Sequence, residues 1–428
     1  MPPMPFDPAR MLVDAPLPAG ARRLWVAYSG GLDSLVLLDS LSRLHRQGLV
    51  AEPRALHVHH GLQSVADDWV AHCAAQCERL DVELQVLRVR IDADDPSGPE
   101  AAARRARYEA LRGPMSSDDV LATAHQLDDQ AETFLMRALR GSGPRGLAAM
   151  RGLQRFEPGW LWRPLLSRSR AELEAHARAW QLSWIEDPHN ADPRYERSWL
   201  RGQISPLLRD RWPAAAQNLA RSADLSAEAD DLLDELADID AAVCATGAGL
   251  SCGALLALSP ARRRNLLRRC IQARGLSTPP YAVLLRLDDV LMAKADATPL
   301  LAWPGGELRR YRDVLWMLPS LGGEPGDWAA DWDGREVLQL PAACGALASE
   351  CGEGLVRVCF ARGGESIVMH PGGPHRALKN LFQEHGVPPW KRRRTPLVYE
   401  QDELRWVGGL PLAGAADSFL AGLRWRQE

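Results

Sequence analysis

Ser29-Gly30-Gly31-Leu32-Asp33-Ser34 joins the apolar run Leu24-Trp25-Val26-Ala27-Tyr28 to the helical pattern Leu35-Val36-Leu37-Leu38. This order predicts a strand, a glycine turn and the start of a helix. Two adjacent glycines allow a sharp turn and a close approach to a ligand, and the serine hydroxyls add donors beside the free amides of a first helical turn. The stretch therefore predicts a phosphate-binding loop.

The predicted loop differs from a Walker loop, which carries Lys-Ser or Lys-Thr after its last glycine. Leu32-Asp33 stands at that place here. An aspartate beside bound phosphates is repelled by them unless a cation lies between. We therefore expect Asp33 to act with Mg²⁺, because this ion is commonly held by one or two carboxylates together with phosphate oxygens.

The composition is that of a globular protein. The chain has 428 residues, of which 46% are hydrophobic and 25% are charged. This length predicts two or three domains, and the composition argues against wholesale disorder. No apolar run reaches the roughly 18 residues of a membrane span, and the N-terminal residues lack the pattern of a secretory signal. We expect a cytoplasmic protein without membrane contact, and the sequence leaves open whether it forms a homodimer.

The eight cysteines include no Cys-x-x-Cys pair and no spacing typical of a zinc site. Cys73 and Cys77 would share one face of a helix among apolar residues, which indicates buried, reduced thiols. The formal net charge of -4 gives no overall attraction to nucleic acid. Such a partner would have to be held by local basic patches.

Alternating strand-like and helix-like segments from Arg23 to about Pro213 predict an α/β fold with a doubly wound parallel sheet. The predicted strands are Leu24 to Tyr28, Arg54 to His59, Glu83 to Ile91 and Val120 to Ala124. The predicted helices are Ser34 to Arg46, Val65 to Leu80, Glu100 to Arg112 and Asp128 to Leu139.

The pattern changes after the sheet domain. Long helices are predicted over Ser222 to Ala242 and Ser259 to Arg274. A segment rich in glycine, aspartate and tryptophan, 320–335, indicates a linker or loop. The last part predicts a small mixed α/β domain with strands Leu355 to Ala361, Thr395 to Tyr399 and Leu404 to Gly408 and a helix near Ala377 to His385. The predicted domains are 1–215 (catalytic), 216–325 (mainly helical) and 335–428 (small mixed α/β).

Polar residues follow the second and fourth predicted strands. His57 lies near the end of one, and His125, Asp128, Asp129 and Glu132 follow the other. Because ligands of open sheets collect at the carboxyl ends of the strands, we expect these side chains to face the phosphate loop. Carboxylates at a helix start also favour the helix dipole, but at this position they predict a site for Mg²⁺ or for a cationic amine.

Arginines form a second set of candidates. Arg104 and Arg107 share a helix face and would neutralise phosphate charge in a site without a Walker lysine. Basic residues farther along the chain form three stretches, 262–274, 375–379 and 391–394, of which the first lies about a hundred residues before the others. A long polyanion such as RNA explains them better than solvated helix faces. The predicted RNA contacts are Arg194, Arg197, Arg201, Arg263, Arg268, Lys379, Lys391, Arg392 and Arg393.

The loop resembles the PP-loop of ATP pyrophosphatases, and most of the chain resembles the tRNA(Ile)-lysidine synthetases. The resemblance rests on further motifs: His57-Val58-His59-His60-Gly61-Leu62, Arg104-Arg105-Ala106-Arg107-Tyr108, Asp128-Asp129-Gln130-Ala131-Glu132-Thr133, Trp184-Ile185-Glu186-Asp187-Pro188 and Val387-Pro388-Pro389-Trp390. It covers roughly residues 24–320 and 370–415. Together these motifs are more specific than the loop alone.

The resemblance implies that ATP adenylates C2 of the wobble cytidine of tRNA(Ile) with a CAU anticodon and that the ε-amine of L-lysine then displaces AMP. The implied ATP-binding residues are Ser29, Gly30, Gly31, Leu32, Asp33, Ser34 and His57, with Asp33 also on Mg²⁺. Arg104 and Arg107 would stabilise charge in the transition state. The implied lysine-binding residues are Asp128, Asp129 and Glu132, and one of these or His125 would accept the proton of the amine.

Two positions depart from the pattern of many relatives: Gln126 replaces a second histidine and Ser198 replaces an asparagine. Three alternatives stay open. A PP-loop sulfur transferase would use the same activation, although the chain lacks the paired cysteines typical of that class. An amide-forming synthetase would leave the distal basic segments without a purpose, and an RNA-binding protein without catalysis would not need Asp33.

Overall fold

A computed structural model describes residues 6–59, 66–90, 95, 98–186, 192–294, 297–342, 344–351, 353–369, 373–410 and 418–426. The chain forms two compact units, Met1–Leu232 and Leu233–Glu428. Their boundary falls inside one long helix, Ala215–Cys244. The finer division into the domains 1–215, 216–325 and 335–428 stays a prediction.

The first unit contains a six-stranded sheet in the order β3-β2-β1-β4-β6-β5. All neighbouring strands run parallel except β5, which is antiparallel to β6. The strands are β1 (Leu24–Ala27), β2 (Pro53–His59), β3 (Leu84–Arg88), β4 (Val120–Ala122), β5 (Leu153–Phe156) and β6 (Gly159–Trp162). The predicted α/β fold is confirmed, and each of the four predicted strands is present with slightly different ends.

Helices connect the strands of this unit. They are α1 (Ala9–Asp14), α2 (Leu32–Arg46), α3 (Ala66–Leu80), α4 (Pro99–Arg112), α5 (Leu127–Leu139), α6 (Pro144–Leu147), α7 (Arg170–Ala179), α8 (Glu196–Trp199) and α9 (Ser205–Arg211), followed by α10 (Ala215–Cys244). A π-helical segment, Leu200–Ile204, joins α8 to α9. Helix α2 begins two residues earlier than predicted, so that Asp33 lies in its first turn.

The strand order explains why a ligand site lies after β1. From β1 the chain proceeds to β2 and β3 on one side and then returns to β4 on the other side of β1. At such a reversal the connections leave in opposite directions and open a crevice at the carboxyl ends of the strands. The loop 28–31 and the segment after β4 both lie at this reversal.

The packing of α2 holds the loop in place. Leu35, Leu37, Leu38, Leu41 and Leu44 are fully buried in the core of the unit. Burial of each such side chain contributes roughly 1.5–3 kcal/mol. Helix α2 is therefore anchored along most of its length, and its N-terminus is fixed relative to the sheet.

The second unit combines helices with small antiparallel sheets. Residues after α10 form β7 (Leu250–Ser251), α11 (Cys252–Ala257), α12 (Pro260–Ala273), α13 (Tyr281–Leu285), α14 (Leu287–Leu291), β8 (Leu300–Trp303), β9 (Gly306–Tyr311) and β10 (Val314–Leu318). The four strands form one sheet in the order β7-β10-β9-β8. The predicted helices are confirmed, whereas this sheet was not predicted.

The remaining elements form three further sheets, in the orders β11-β14-β17-β18, β12-β13-β19 and β15-β16. Their bounds are β11 (Ala329–Trp332), β12 (Leu338–Gln339), β13 (Ala346–Ser349), β14 (Val356–Phe360), β15 (Ser366–Val368), β16 (His375–Ala377), α15 (Leu378–Glu384), α16 (Pro389–Arg392), β17 (Pro396–Glu400), β18 (Glu403–Val407), α17 (Ser418–Ala421) and β19 (Leu423–Arg426). None of the helices in the described ranges is long and apolar enough to cross a membrane.

The prediction of a linker or loop over 320–335 is wrong for residues Ala329–Trp332. These residues form strand β11, which pairs with β14. The guanidinium group of Arg394, which is 9% exposed, donates hydrogen bonds to the carbonyl groups of Leu321, Gly322 and Gly323. The glycine-rich composition reflects tight turns that an arginine side chain holds in place.

We expect Gly30→Ala to lower the free energy of unfolding by about 2–4 kcal/mol. Gly30 has a φ of 88°, and a Cβ atom there would lie 2.9 Å from Sγ of Cys73 and 3.0 Å from Cδ1 of Ile185. Gly20→Ala is the matched control, because Gly20 has a φ of 83° with no atom within 4 Å of its Cβ position. Urea unfolding of both variants should give a cost of only about 1 kcal/mol for Gly20→Ala. Equal costs would contradict the role given to the Cys73 contact.

Candidate active site

A cavity of about 1000 Å³ lies at the carboxyl ends of the strands of the first unit. Its walls come from the loop after β1, the end of β2, helix α4, the segment from β4 into α5, and the start of α7. Of the residues predicted to bind ATP, the cavity is lined by Ser29, Gly31, Leu32, Asp33, Ser34 and His57. Gly30 has a different position, since it packs against Cys73 and Ile185.

Hydrogen bonds among the loop residues set its shape. The amide of Ser29 donates to Oγ of Ser34 (3.2 Å), and this hydroxyl donates to the carbonyl of Gly31 (2.9 Å). Gly31 is the N-cap of α2, and no side chain caps this helix start. Uncapped amides at a helix N-terminus favour an anion. The loop therefore presents the start of α2 to the cavity, while Ser34 mainly maintains the turn.

Asp33 lies opposite an arginine that the sequence did not single out. Nη1 of Arg170 lies 2.8 Å from Oδ1 of Asp33. Burial raises the pKa of Asp33 to about 6; Arg170 opposes this rise and the charge of Asp129 adds to it. The two partners are 137 residues apart, and Arg170 belongs to an unpredicted helix, so no spacing in the sequence indicated the pair.

The described residues could hold Mg²⁺ only together with phosphate oxygens of a bound ligand. No group of three or more His, Cys, Asp or Glu side chains in the described ranges is arranged to hold a metal. Asp33 supplies one carboxylate at the cavity wall, beside the start of α2. One carboxylate plus substrate phosphates is a common arrangement for Mg²⁺.

The predicted lysine-binding carboxylates are paired with predicted RNA-binding arginines. Glu132, which is 2% exposed, contacts Arg197 at 2.9 Å and Arg201 at 2.8 Å. Asp129 contacts the same two arginines at 3.0 Å and 2.9 Å. Asp128 has a different role, because its Oδ2 accepts a hydrogen bond from the amide of Arg170 (3.0 Å). The sequence indicated each group but not that they meet.

Gln126, one of the two departures, has a structural role at the start of α5. Its side-chain oxygen accepts a hydrogen bond from the amide of Asp128 (2.6 Å), and its own amide donates to Oδ2 of Asp129 (3.1 Å). In this reciprocal cap the side chain of Gln126 holds the backbone at Asp128, and its main-chain amide holds the carboxylate of Asp129. The side chain of Gln126 therefore stabilises the start of the helix that carries the acidic cluster.

Two of the three histidines that line the cavity, His125 and His57, have lowered pKa values. Burial, together with the charges of nearby arginines of which Arg163 comes first, lowers the pKa of His125 to about 3. A group with this pKa is a weak proton acceptor, which argues against His125 as the general base in the protein without bound anions. Burial also lowers the pKa of His57. Its Nδ1 lies 2.9 Å from the carbonyl of Tyr28, which can only accept, so Nε2 is left as an acceptor.

Arg104 and Arg107 both approach the ring of Tyr108. Their guanidinium carbons lie 5.0 Å and 5.7 Å from the ring centre. Arg107 and Tyr108 line the cavity. Sequence reasoning missed Arg163, which is 5% exposed and donates to the carbonyl of Arg151 (2.7 Å). Nothing in its local sequence distinguishes it from a surface arginine.

The other predicted RNA contacts are distributed unevenly. Arg194 is exposed and contacts Asp192 at 2.9 Å. In the second unit, Lys379 is exposed and Arg268 is half-buried. Arg263 is 9% exposed and donates to Asp288 and to the carbonyl groups of Leu256 and Leu258. The prediction of an RNA contact at Arg263 is therefore corrected to a structural role, because its donors are already bonded inside the protein.

The basic run after α15 contacts aromatic and acidic neighbours. Nζ of Lys391 lies 5.1 Å from the ring centre of Trp316, and Arg392 donates to the carbonyl of Val387 (2.9 Å). Arg393 is exposed and contacts Glu324 at 2.9 Å. Of these three, Arg393 presents its charge most openly to solvent.

Known families match three segments of the chain. These are a PP-loop domain over residues 8–208, a TilS substrate binding domain over 250–316 and a TilS substrate C-terminal domain over 356–425. The tRNA(Ile)-lysidine synthase of Xanthomonas axonopodis pv. citri (strain 306) is 44% identical over 416 residues, covering 94% of this chain and 93% of the relative. The chain belongs to the tRNA(Ile)-lysidine synthase family. The enzymes of this family are also called synthetases.

Other members of the tRNA(Ile)-lysidine synthase family are similar over nearly the whole chain. The protein of Methylococcus capsulatus (strain ATCC 33009 / NCIMB 11132 / Bath) is 44% identical, covering 90% of both chains. That of Shigella flexneri is 42% identical, covering 91% of this chain and 92% of the relative. A solved U34-tRNA thiolase from Methanococcus maripaludis aligns over 51% of this chain and 76% of its own, with a TM-score of 0.41 and 19% identity.

We expect Asp33→Asn to stabilise the ligand-free protein above pH 6. The folded pKa of about 6 lies above the ordinary value of 3.8, so ionisation of Asp33 costs free energy in the folded state. The stabilising contribution of the protonated form is complete at low pH and is lost as the pH rises through 6. Urea unfolding should show Asp33→Asn more stable by about 1–2 kcal/mol at pH 8, after allowance for partial exposure, and equal near pH 4. Glu78→Gln, at an exposed position on α3, should show no such pH-dependent difference.

Proposed function

We propose that this protein ligates L-lysine to C2 of the wobble cytidine of tRNA(Ile) with a CAU anticodon. ATP is consumed to AMP and pyrophosphate through an adenylated cytidine, and the product lysidine changes codon reading to AUA and tRNA identity to isoleucine. One observation carries the proposal: the glycine loop and the acidic cluster, through Asp128 and Glu132, line the same cavity. Membership of the tRNA(Ile)-lysidine synthase family supports the same activity.

The nucleotide would bind with its phosphates at the start of α2. The uncapped amides of this helix favour phosphate oxygens, and Asp33 would hold Mg²⁺ between itself and the phosphates. When bound, Mg²⁺ would neutralise charge on the phosphates. Arg107, in the cavity wall, would stabilise the charge that develops as pyrophosphate leaves, with Arg104 beside it. Nε2 of His57 would accept a hydrogen bond from the exocyclic amine of the adenine base of ATP.

The lysine substrate would bind at the acidic cluster. A free amino acid carries ammonium and carboxylate groups, and this cluster contains partners for both. Asp129 and Glu132 would receive an ammonium group, while Arg201, which lines the cavity, would receive the carboxylate. The ε-amine must lose a proton before it attacks, and a carboxylate of this cluster would accept it, because this carboxylate would already contact the ammonium group.

The tRNA would be held by basic side chains that are open to solvent. Lys379 and Arg393 are exposed in the second unit, and Arg194 is exposed in the first. Each contact that neutralises a phosphate releases counterions, so such residues confer affinity that depends on salt. Because the net charge is -4, this affinity must be local.

A labelled-lysine assay tests the proposed function. Protein with ATP, Mg²⁺, radiolabelled lysine and tRNA(Ile) with a CAU anticodon should yield labelled tRNA, AMP and pyrophosphate. Asp33→Asn should abolish this turnover and leave the dissociation constant for tRNA within a few-fold, while Glu78→Gln should retain both. Folded protein that binds the tRNA but transfers no lysine would contradict the assignment. Sulfur incorporation from a persulfide donor instead would favour the transferase alternative.

The salt dependence of tRNA binding tests the exposed basic residues. Lys379→Ala combined with Arg393→Ala should weaken binding and reduce the slope of log K against log salt by about 1.5, since each lost phosphate contact accounts for about 0.7–0.9. Filter binding between low and moderate salt measures the slope. Arg335→Ala is the control, because Arg335 is exposed but contacts Glu353 at 2.8 Å and lies outside the predicted basic patches. The same slope in the double variant and the wild type would show that Lys379 and Arg393 are solvated charges that do not contact the tRNA.

A further inference from the structure

Arg170 occupies a distinctive place in the cavity wall. Its main chain is fixed, because its amide donates to Asp128 and the preceding Ser169 forms a reciprocal cap with Glu172. The amides of Ser169, Arg170 and Glu172 are thus bonded to oxygens of the protein itself. The side chain of Arg170 extends from the start of α7 to Asp33. A ligand anion beside Asp33 would therefore meet the guanidinium group, whereas these three amides are already bonded.

The bonds of Arg170 differ from those of three arginines near the cavity. Arg201, which lines the cavity, and Arg197 each contact two carboxylates, and Arg163 is bonded to a carbonyl and an amide oxygen. Arg170 contacts Asp33 at 2.8 Å and, more loosely through Nε, Glu174 at 3.4 Å. Its side chain is 43% exposed. It is the arginine whose main partner is the carboxylate assigned to Mg²⁺.

A guanidinium group and Mg²⁺ repel each other when both lie against one carboxylate. Arrival of Mg²⁺ with the phosphates therefore favours release of Arg170 from Asp33, and the added phosphate groups offer its guanidinium group new anionic partners. Helix α7 itself need not move, because Nε2 of His176 lies 2.9 Å from the buried Asp39 of α2 and ties the two helices together. Rotation of one long side chain is sufficient.

We propose that Arg170 neutralises Asp33 in the nucleotide-free protein and, once Mg²⁺ replaces it there, binds the β- and γ-phosphates and then the departing pyrophosphate. The proposal rests on the proposed function only for the identity of the nucleotide as ATP. Arg170 is thereby a phosphate-binding residue in addition to Arg104 and Arg107. Asp33 is thus paired with a cation at each stage, with Arg170 before the nucleotide enters and with Mg²⁺ afterwards. An unpaired carboxylate in the cavity would be costly.

Calorimetry with nucleotides tests the phosphate contact. Arg170→Gln should weaken binding of α,β-imido-ATP, which is not cleaved between its α- and β-phosphates, by roughly tenfold to a hundredfold at saturating Mg²⁺. Binding of AMP, which lacks the β- and γ-phosphates, should change less than twofold, and Arg170→Lys should be intermediate. Arg178→Gln is the matched control, since Arg178 lies on the same helix, is 74% exposed and contacts Glu174 at 3.5 Å, as Arg170 does at 3.4 Å. Equal losses for both nucleotides, or no loss for the imido analogue, would overturn the proposal.

Manganese binding without nucleotide tests the other half of the exchange. Arg170→Gln removes the cation that competes for Asp33, so Mn²⁺ alone, followed by water proton relaxation, should bind several-fold more tightly than to the wild type. Asp33→Asn should remove this gain. Weaker Mn²⁺ binding in Arg170→Gln would contradict the competition. A structural defect would weaken both ligands, whereas the proposal requires opposite changes. Because neither measurement uses tRNA or lysine, failure of lysine transfer and failure of this proposal are distinguishable.

Discussion

The burial of helix α2 is the constraint on which the site depends. Its leucines lie in the core, so its N-terminus cannot shift without disrupting that core. The buried Asp39 would be costly there, but it is paired with Arg43 at 2.7 Å and with His176 of α7. One helix thus fixes the glycine loop and also the position of α7, which supplies Arg170. The start of α2 and the opposing charge are held by the same packing.

Many charged side chains lie in and around the cavity, and most of them are paired with a group of opposite charge or with a backbone amide. Asp129 and Glu132 face two arginines, Asp33 faces Arg170, and Asp128 accepts from a backbone amide. Pairing reduces the cost of burying these groups before substrates bind. It also means that each charged substrate group has to exchange with, or add to, an existing partner. Selection between substrates can then depend on which exchanges are favourable.

Much of the fold could be predicted from the sequence. Hydrophobic periodicity located the strands β1 to β4 and the helices between them, since each buried element repeats its pattern every two or 3.6 residues. The loop and the acidic cluster followed from local motifs. Short strands such as β7, β11 and β12 escaped prediction, because they do not lie in continuous apolar runs like those that marked β1 and β4. Residues 321–323 form turns that the distant Arg394 stabilises, and no local pattern indicated this contact.

The glycine loop, its aspartate and the family to which they point were determined by the sequence alone, because these features lie in contiguous residues whose chemistry can be read directly. The tertiary structure decided which charges meet. Arg170 reaches Asp33 from 137 residues away, Arg197 and Arg201 turn to Glu132, and Arg263 and Arg394 bond inside the protein. Ion pairs over such separations depend on how helices pack, and no local pattern encodes that. The sequence therefore identified the chemical groups, whereas the fold assigned them their partners.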